Sequence, residues 1–411
     1  MKVGASRQEI TPTGHVYLSG QQSRTHRSTG VLDKLYVSTL VINDGEKHTL
    51  FVSYDLIMLD EALGEQVKGQ INEEFGINIE DIVLGFTHTH SGPDIGFMGL
   101  FSREDDETSR GYRKELVADT ARSVGSSLEA MVDCTMWTGS TTIEGCYGNR
   151  NGKDQIADKE VKFIQFKQKD VVATIVNMAC HPTVLGPSNY KISGDLFGVL
   201  RTDLQAEFGG IVLMTQGASG DMGNRQYRQG EDGAELQRIR TQIMDQLRNP
   251  IQWTETAGAL LKSEDYSYHL SYTRDGSALS SKLAEIKEEL RTETGLDELK
   301  LLNTSKALLE SQLELKDFDV DVTLNGKFMQ LGDILIVTVP AELAAKFGLM
   351  IKRAFPKHFV IVWGYTEYSV GYLVDKEHYG QSFESIYSPF RYGDTEEYVT
   401  MMIDKIKKWI H

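Results

Sequence analysis

The sequence predicts an α/β fold: mixed β-sheets flanked by helices, forming a single large domain with a helical insertion. Short β-branched, apolar runs alternate with amphipathic stretches along the chain. Turn signals at Asp44-Gly45 and Lys169-Asp170 join neighbouring runs into hairpins, which makes the sheets mixed rather than purely parallel. A Lys-, Glu- and Leu-rich stretch at helical spacing breaks the alternation late in the chain. With 40% hydrophobic and 25% charged residues over 411 positions, apolar material suffices for a large core.

In chain order, Tyr36–Asn43 and Thr49–Leu59 read as strands around the Asp44-Gly45 turn. Glu61–Phe75 reads as a helix stopped by Gly76. Asp81–Phe86 is a buried strand, and Arg113–Met131 is helical. Glu160–Phe166 and Val171–Ala179 form a second hairpin. Gly210–Thr215, Ile334–Val339 and Phe359–Trp363 are further buried runs. Residues from about 278 to 315 form one or two long, solvated amphipathic helices. No repeat is evident at solenoid or propeller spacing, and no composition shift marks a domain boundary within 1–411.

Charge narrows the function. The formal net charge is −16, from 59 acidic and 43 basic residues, and no Lys/Arg cluster is dense enough to neutralise a run of phosphates. A nucleic-acid partner and an anionic membrane surface are therefore not expected. Three scattered cysteines (Cys134, Cys146 and Cys180) make neither a disulfide framework nor a thiolate zinc site. Together with an N-terminus lacking an apolar signal core and no run of about 18–20 apolar residues, this leads us to expect a cytoplasmic protein.

Polar residues gather where the buried runs end. Asp81–Phe86 leads into Thr87-His88-Thr89-His90-Ser91-Gly92-Pro93, and Val171–Ala179 into Cys180-His181-Pro182-Thr183. Gly210–Thr215 leads into Gln216-Gly217-Ala218-Ser219-Gly220-Asp221, and Ile334–Val339 into Pro340-Ala341-Glu342. Phe359–Trp363 leads into a segment containing Tyr365, Tyr368 and Tyr372. In α/β sheets ligands bind beyond the carboxyl ends of strands, so five such exits propose one site built from remote segments.

His88 and His90 form the sharpest pair. In an extended segment, residues i and i+2 share a face, so both imidazoles address one cavity. Imidazole is the commonest metal ligand, and a second histidine nearby serves as outer-shell partner or proton carrier. His181 precedes Pro182, which biases it to extended geometry. A Cys180 thiol nucleophile is disfavoured, because neighbours on a strand point to opposite faces. Glu342 is expected to open a helix after Pro340, where a carboxylate can simply complement the dipole. Asp195 and Asp221 have the same plain alternative as helix caps, and Tyr368 and Tyr372 as aromatic packing.

These motifs resemble the N-terminal catalytic domain of the neutral/alkaline (non-lysosomal) ceramidase family, which are zinc-dependent amidases. The resemblance runs in order through most of the chain. It takes in Val3-Gly4 and Ile10-Thr11-Pro12, the Thr87–Pro93 run, Gly148-Asn149-Arg150, and Ala179-Cys180-His181-Pro182-Thr183. It continues through Ile192-Ser193-Gly194-Asp195, Gly220-Asp221, Pro340-Ala341-Glu342 and Gly371-Tyr372-Leu373. It implies one zinc ion on His88, His181, Glu342 and Tyr372, with other divalent metals able to use the same donors. Arg150 falls where the family binds polar groups of substrate; Asp195, Ser219 and Tyr368 are further candidate substrate-binding residues.

Two positions depart from the pattern. Gly223 stands where the family has serine, and Phe383-Glu384 where it has Tyr-Glu; Ser219, Tyr365 and Tyr368 offer replacement hydroxyls. The chain also ends without room for the family's C-terminal β domain. The expectation is thus a zinc-dependent hydrolase cleaving an amide, or else an ester or lactone, in a small soluble substrate by metal-activated water. His90 or Asp221 would move protons. The alternatives are a non-catalytic metal or metabolite binder and a metal-dependent phosphoesterase. Oligomeric state is not readable from the sequence.

Overall fold

A computed structural model of the chain describes residues 1–21, 23–95, 106–256, 261–316 and 318–410. The chain forms two compact units: Met1–Tyr266 with Gly326–Ser369, and Ser267–Asn325 with Val370–His411.

The first unit is built from layered sheets. One sheet has the order Ile82–Phe86, His48–Tyr54, Tyr36–Asn43, Lys2–Glu9 and Val132–Asp133. A second has the order Ile211–Gln216, Val171–Met178, Glu160–Lys167, Thr135–Thr142 and Thr254–Thr256. A third runs Leu261–Thr273, Asp319–Leu331, Ile334–Val339 and Phe359–Gly364, and its two longest strands contribute residues to both units.

Alternation along the strands sorts side chains into separate cores. Leu50, Val52 and Tyr54 face the helices Glu61–Phe75 and Glu107–Glu129, meeting Leu63, Val67, Ile71 and Leu116. Phe51, between them in sequence, faces the other way, into a core shared with Ile175, Leu213, Ile336 and Trp363. The second sheet turns Phe163, Val176 and Met214 toward the helices Asp195–Phe208 and Gly233–Leu247. The result is helices, sheet, sheet, helices, which confirms the expected mixed α/β class.

One arrangement occurs three times. The hairpin Tyr36–Asn43/His48–Tyr54 is followed by the helix Glu61–Phe75 and by Ile82–Phe86, parallel to His48–Tyr54. The hairpin Glu160–Lys167/Val171–Met178 is followed by Asp195–Phe208 and the parallel strand Ile211–Gln216. The hairpin Asp319–Leu331/Ile334–Val339 is followed by the helix Ala345–Ala354 and the parallel strand Phe359–Gly364. The sequences of the three share no visible period, because packing requires only apolar runs of the right length. The carboxyl ends of these parallel pairs carry the residues of the candidate site.

Local chemistry sets the element ends. Asp60 caps Glu61–Phe75 by accepting from the Leu63 amide at 2.8 Å, and Gly76 ends it in the left-handed conformation, φ +67°. The expected Thr49–Leu59 strand stops at Tyr54. There the Asp55 carboxylate takes the Tyr36 amide at 2.9 Å and the Arg201 guanidinium, and the chain leaves the sheet. The helix expected from Arg113 starts earlier, at Glu107, because Asp106 caps it through the Ser109 amide.

The second unit holds the helical segment expected near 278–315, as two helices, Gly276–Glu289 and Leu296–Leu315. Ile286, Leu302 and Leu309 share a small apolar cluster, and the helix Asp394–Trp409 buries Tyr398, Val399 and Met402.

Candidate active site

His88 and His90 leave the first sheet after Phe86, but not as an extended pair. His88 is left-handed, φ +66°, a conformation that histidine tolerates better than most residues. Its amide donates to Leu56 O at 2.9 Å and that of Thr87 to Tyr54 O at 2.9 Å, so the turn is tied to the neighbouring strand's exit. The two rings still meet, with centroids 5.0 Å apart, through a turn rather than the period-2 geometry expected from spacing.

His181 enters from the second sheet, its ring 5.0 Å from His88 and 5.8 Å from His90. One nitrogen of each of the three rings lies within 4.8 Å of the others, a grouping able to hold a metal ion. In every ring Nδ1 faces a backbone carbonyl: Ile57 O for His88 (3.0 Å), Gly20 O for His90 (2.9 Å) and Ser219 O for His181 (2.7 Å). Such carbonyls accept from Nδ1–H, which leaves each Nε2 lone pair for a cation. Burial is the main reason that the His88 pKa falls to about 4, outweighing the nearby Glu342 carboxylate. The ring is therefore neutral, as a ligand must be.

Glu342 completes the cluster. Its Oε2 lies 3.1 Å from His181 Nε2 and 3.6 Å from His88 Nε2. Four donors on a tetrahedral zinc with bonds of about 2.0–2.1 Å stand roughly 3.3 Å from one another. The two separations bracket that value, so the donor set fits a zinc-sized ion. Glu342 does not open a helix, contrary to expectation: Glu342–Leu343 is extended and the helix begins at Ala345. The Gly220 amide donates to Leu343 O at 2.8 Å, holding this stretch against the Ser219–Asp221 turn. A Cβ on Gly220 would lie 2.3 Å from Glu342 O, so only glycine permits the approach.

Two buried side chains hold these segments in place. Gln216 ends the Ile211–Gln216 strand, and its Nε2 donates to Thr87 O (3.0 Å) and Cys180 O (2.7 Å). Its Oε1 accepts from the Cys180 amide (3.3 Å) and Ser219 Oγ (3.0 Å). One amide group thus links the residues preceding His88 and His181. Tyr365, left-handed at φ +56°, donates its hydroxyl to Glu342 Oε2 at 3.3 Å and lies 3.4 Å from His181 Nδ1 and 3.1 Å from Ser219 Oγ.

The remaining expected residues divide by what they touch. Arg150 is buried, its amide donates to Asp221 O at 2.8 Å, and its positive charge helps depress the His88 pKa. Both Asp221 oxygens accept hydrogen bonds, from the Ala345 amide (2.8 Å) and Asn149 Nδ2 (2.8 Å), so Asp221 caps a remote helix. The Asp195 carboxylate is fully buried and accepts from the Val184, Leu185 and Leu196 amides. It braces the loop beyond His181 rather than facing a substrate, and burial lifts its pKa to about 6. Ser219 is buried in the hydroxyl chain to Tyr365, and Tyr368 is half-buried in the turn after Gly364.

Tyr372 belongs to the second unit, where it packs edge-on against Phe383 and Tyr387 at 6.3 Å from each. A Cβ on Gly223 would stand 3.8 Å from His181 Cβ, so packing does not demand a glycine there. Cys180 is buried beside Asn224 and its pKa is pushed well up by burial, which removes it as a nucleophile. Gln216 carries no functional expectation from the sequence. The only signal for Gln216 was a polar residue closing a buried run.

Comparison with known proteins agrees with this fold. The family described as "Neutral/alkaline non-lysosomal ceramidase, N-terminal" matches residues 1–210, just over half of the chain. The fold is similar to the neutral ceramidase from Pseudomonas aeruginosa, with a TM-score of 0.73 and 19% identity over 98% of this chain and 73% of that one. A ceramidase structure complexed with C2 gives a TM-score of 0.70 and 16% identity, over 98% of this chain and 74% of that chain.

Proposed function

Because the chain belongs to the neutral/alkaline non-lysosomal ceramidase family and is an amide-bond hydrolase, we propose that it cleaves the amide of a small, polar, soluble substrate with the help of one zinc ion. The observation that carries this reading is Glu342 Oε2 lying 3.1 and 3.6 Å from two imidazole Nε2 atoms whose Nδ1 atoms face carbonyls. His88, His181 and Glu342 would hold the ion. When bound there, zinc would supply Lewis acidity and a water acidic enough to act as nucleophile at neutral pH.

The protein's own groups do the rest. Tyr365 fixes the Glu342 carboxylate through its hydroxyl. His90, the least buried of the three histidines, moves the proton from attacking water to the departing amine. Asp221 is unsuited to that task, since both of its oxygens are engaged. Arg150 grips a polar or anionic group of the substrate, and its charge beside His88 favours such a group over a purely aliphatic one. Three free cysteines accord with a cytoplasmic location, and among the described residues no helix is long and apolar enough to cross a membrane.

The test is hydrolysis of a panel by zinc-loaded and chelator-treated protein: short polar N-acyl compounds, esters, phosphate esters and long-chain ceramide. The reading expects zinc-dependent turnover, highest on short N-acyl compounds. Preference for ceramide would overturn the soluble-substrate part, and preference for phosphate esters would overturn the amide chemistry on small molecules.

A further inference from the structure

A patch of the first unit far from the cluster in sequence builds the environment of His90. Ser19 donates through both its amide (3.0 Å) and its Oγ (3.3 Å) to Gly92 O, and Leu18 bridges Pro93. These contacts lay the chain around Ser19 along the Ser91–Pro93 turn. Gly20 follows with its carbonyl 2.9 Å from His90 Nδ1.

Gly20 is there for two reasons. Its φ is +78°, and a Cβ would lie 2.4 Å from both Cγ and Nδ1 of His90. Arg24 is buried, and its guanidinium donates to the backbone carbonyl of His90, to Ser19 O (3.0 Å), to Gly186 O (3.3 Å) and to Ser91 Oγ (3.5 Å). One side chain thus joins the His90 backbone, the Ser19 stretch and the loop beyond His181. A buried cation is costly to desolvate unless carbonyls surround it, as they do here.

We propose that Gly20 and Arg24 are positioning residues for His90. Gly20 fixes the ring as the Nδ1–H tautomer with Nε2 turned to the cluster, and Arg24 locks the backbone that carries the ring. The functional side of this inference rests on the proposed role of His90; the tautomer itself does not. Without Gly20 O, the solution preference of a neutral imidazole would place the proton on Nε2 and silence the nitrogen that faces His88 and His181. Without Arg24, His90 would keep its tautomer but lose its fixed distance from the other two rings.

The experiment is ¹⁵N NMR of histidine-labelled, metal-free protein, with His90 assigned by its loss in His90→Asn, alongside kinetics of the zinc-loaded protein. Wild type is expected to show His90 as the Nδ1–H tautomer. Gly20→Ala is expected to abolish that signature and to lower kcat by about 10–100-fold, the usual cost of removing an outer-shell partner, with KM within about threefold. Arg24→Met should lower kcat similarly and Arg24→Lys should recover part of it, which guards against Gly20→Ala simply failing to fold. An Nε2–H tautomer in wild type, or Gly20→Ala with an unchanged His90 spectrum and kcat, would overturn the proposal. A fully active His90→Asn would instead remove the assigned role of His90, while the spectra still decide what holds the ring.

Discussion

The buried side chains around the candidate site of the first unit and the pair of long helices of the second handle charge in opposite ways. In the first, His88, His181, Glu342, Asp55, Arg201 and Asp195 are all buried, and each is held by a backbone group, a hydroxyl or a counter-charge. In the second, the ion pairs along the two long helices, Lys282–Glu285, Arg291–Glu288 and Lys287–Glu310, stand largely in water. Burying a charge costs several kcal/mol unless its partners are well placed, whereas exposed pairs cost and contribute little. The first pattern is tolerated where chemistry needs it; the second keeps a helix pair solvated.

If this contrast is right, substitutions in the first unit should be costly in proportion to how many segments a residue joins. The largest effect is expected at the metal donors. His181→Ala should lose stoichiometric zinc by elemental analysis and reduce turnover by on the order of 10³-fold or more, because the acidified water is lost with the ion. Retained zinc at full occupancy would remove His181 from the ligand set. Next comes Gln216→Leu, which leaves the Thr87 and Cys180 carbonyls and the Cys180 amide without their shared partner. Denaturant unfolding should show a loss of about 2–4 kcal/mol, with weaker zinc binding. A loss below 0.5 kcal/mol, measured by the same criterion, would mean that the amide is not the bridge it looks to be.

A subtler test concerns Asp33, whose carboxylate accepts from the Gly194 amide and Ser193 Oγ beneath Asp195. Burial, the leading cause, lifts its pKa to about 6 from an ordinary 3.8, despite those hydrogen bonds. A carboxyl with a raised folded pKa contributes stability that is complete below about pH 4 and lost as pH rises through about 6. Wild type should therefore lose this contribution over that window, while the lowered His88 pKa works in the opposite sense. Relative to wild type, Asp33→Asn should be relieved of a loss on the order of 2–3 kcal/mol across that window, leaving the opposed contributions of Asp195 and His88. An unchanged slope would show that Asp33 does not titrate there. The smallest effect is expected in the second unit, where Lys287→Ala should move Tm by less than about 2 °C. A larger shift would break the contrast from its other side.

How much of this was legible depended on the range of the interaction that fixes each feature. The Glu61–Phe75 helix was readable to the residue, since Asp60 and Gly76 act locally. The strands, and the convergence of their exits, followed from apolar runs and from the histidines in Thr87–Pro93. Glu342 was assigned to the cluster but misplaced on a helix, because the bond from the Gly220 amide to Leu343 O crosses more than a hundred residues of sequence. The extended reading of His88 failed for a similar reason: Leu56 and Ile57 hold its turn and ring. Asp195 and Asp221, expected at the substrate or as local caps, turn their carboxylates to amides of other segments. Gln216 and Arg24 carry no motif at all; their roles exist only once remote carbonyls surround them.

The account turns on a single cation at the meeting point of the three parallel strand pairs. Anomalous diffraction at the zinc edge, from crystals of zinc-loaded protein, tests it most directly. One peak about 2.0–2.2 Å from Nε2 of His88, Nε2 of His181 and a Glu342 carboxylate oxygen is the expected result. A peak elsewhere, with those three side chains still clustered and no density between them, would contradict it.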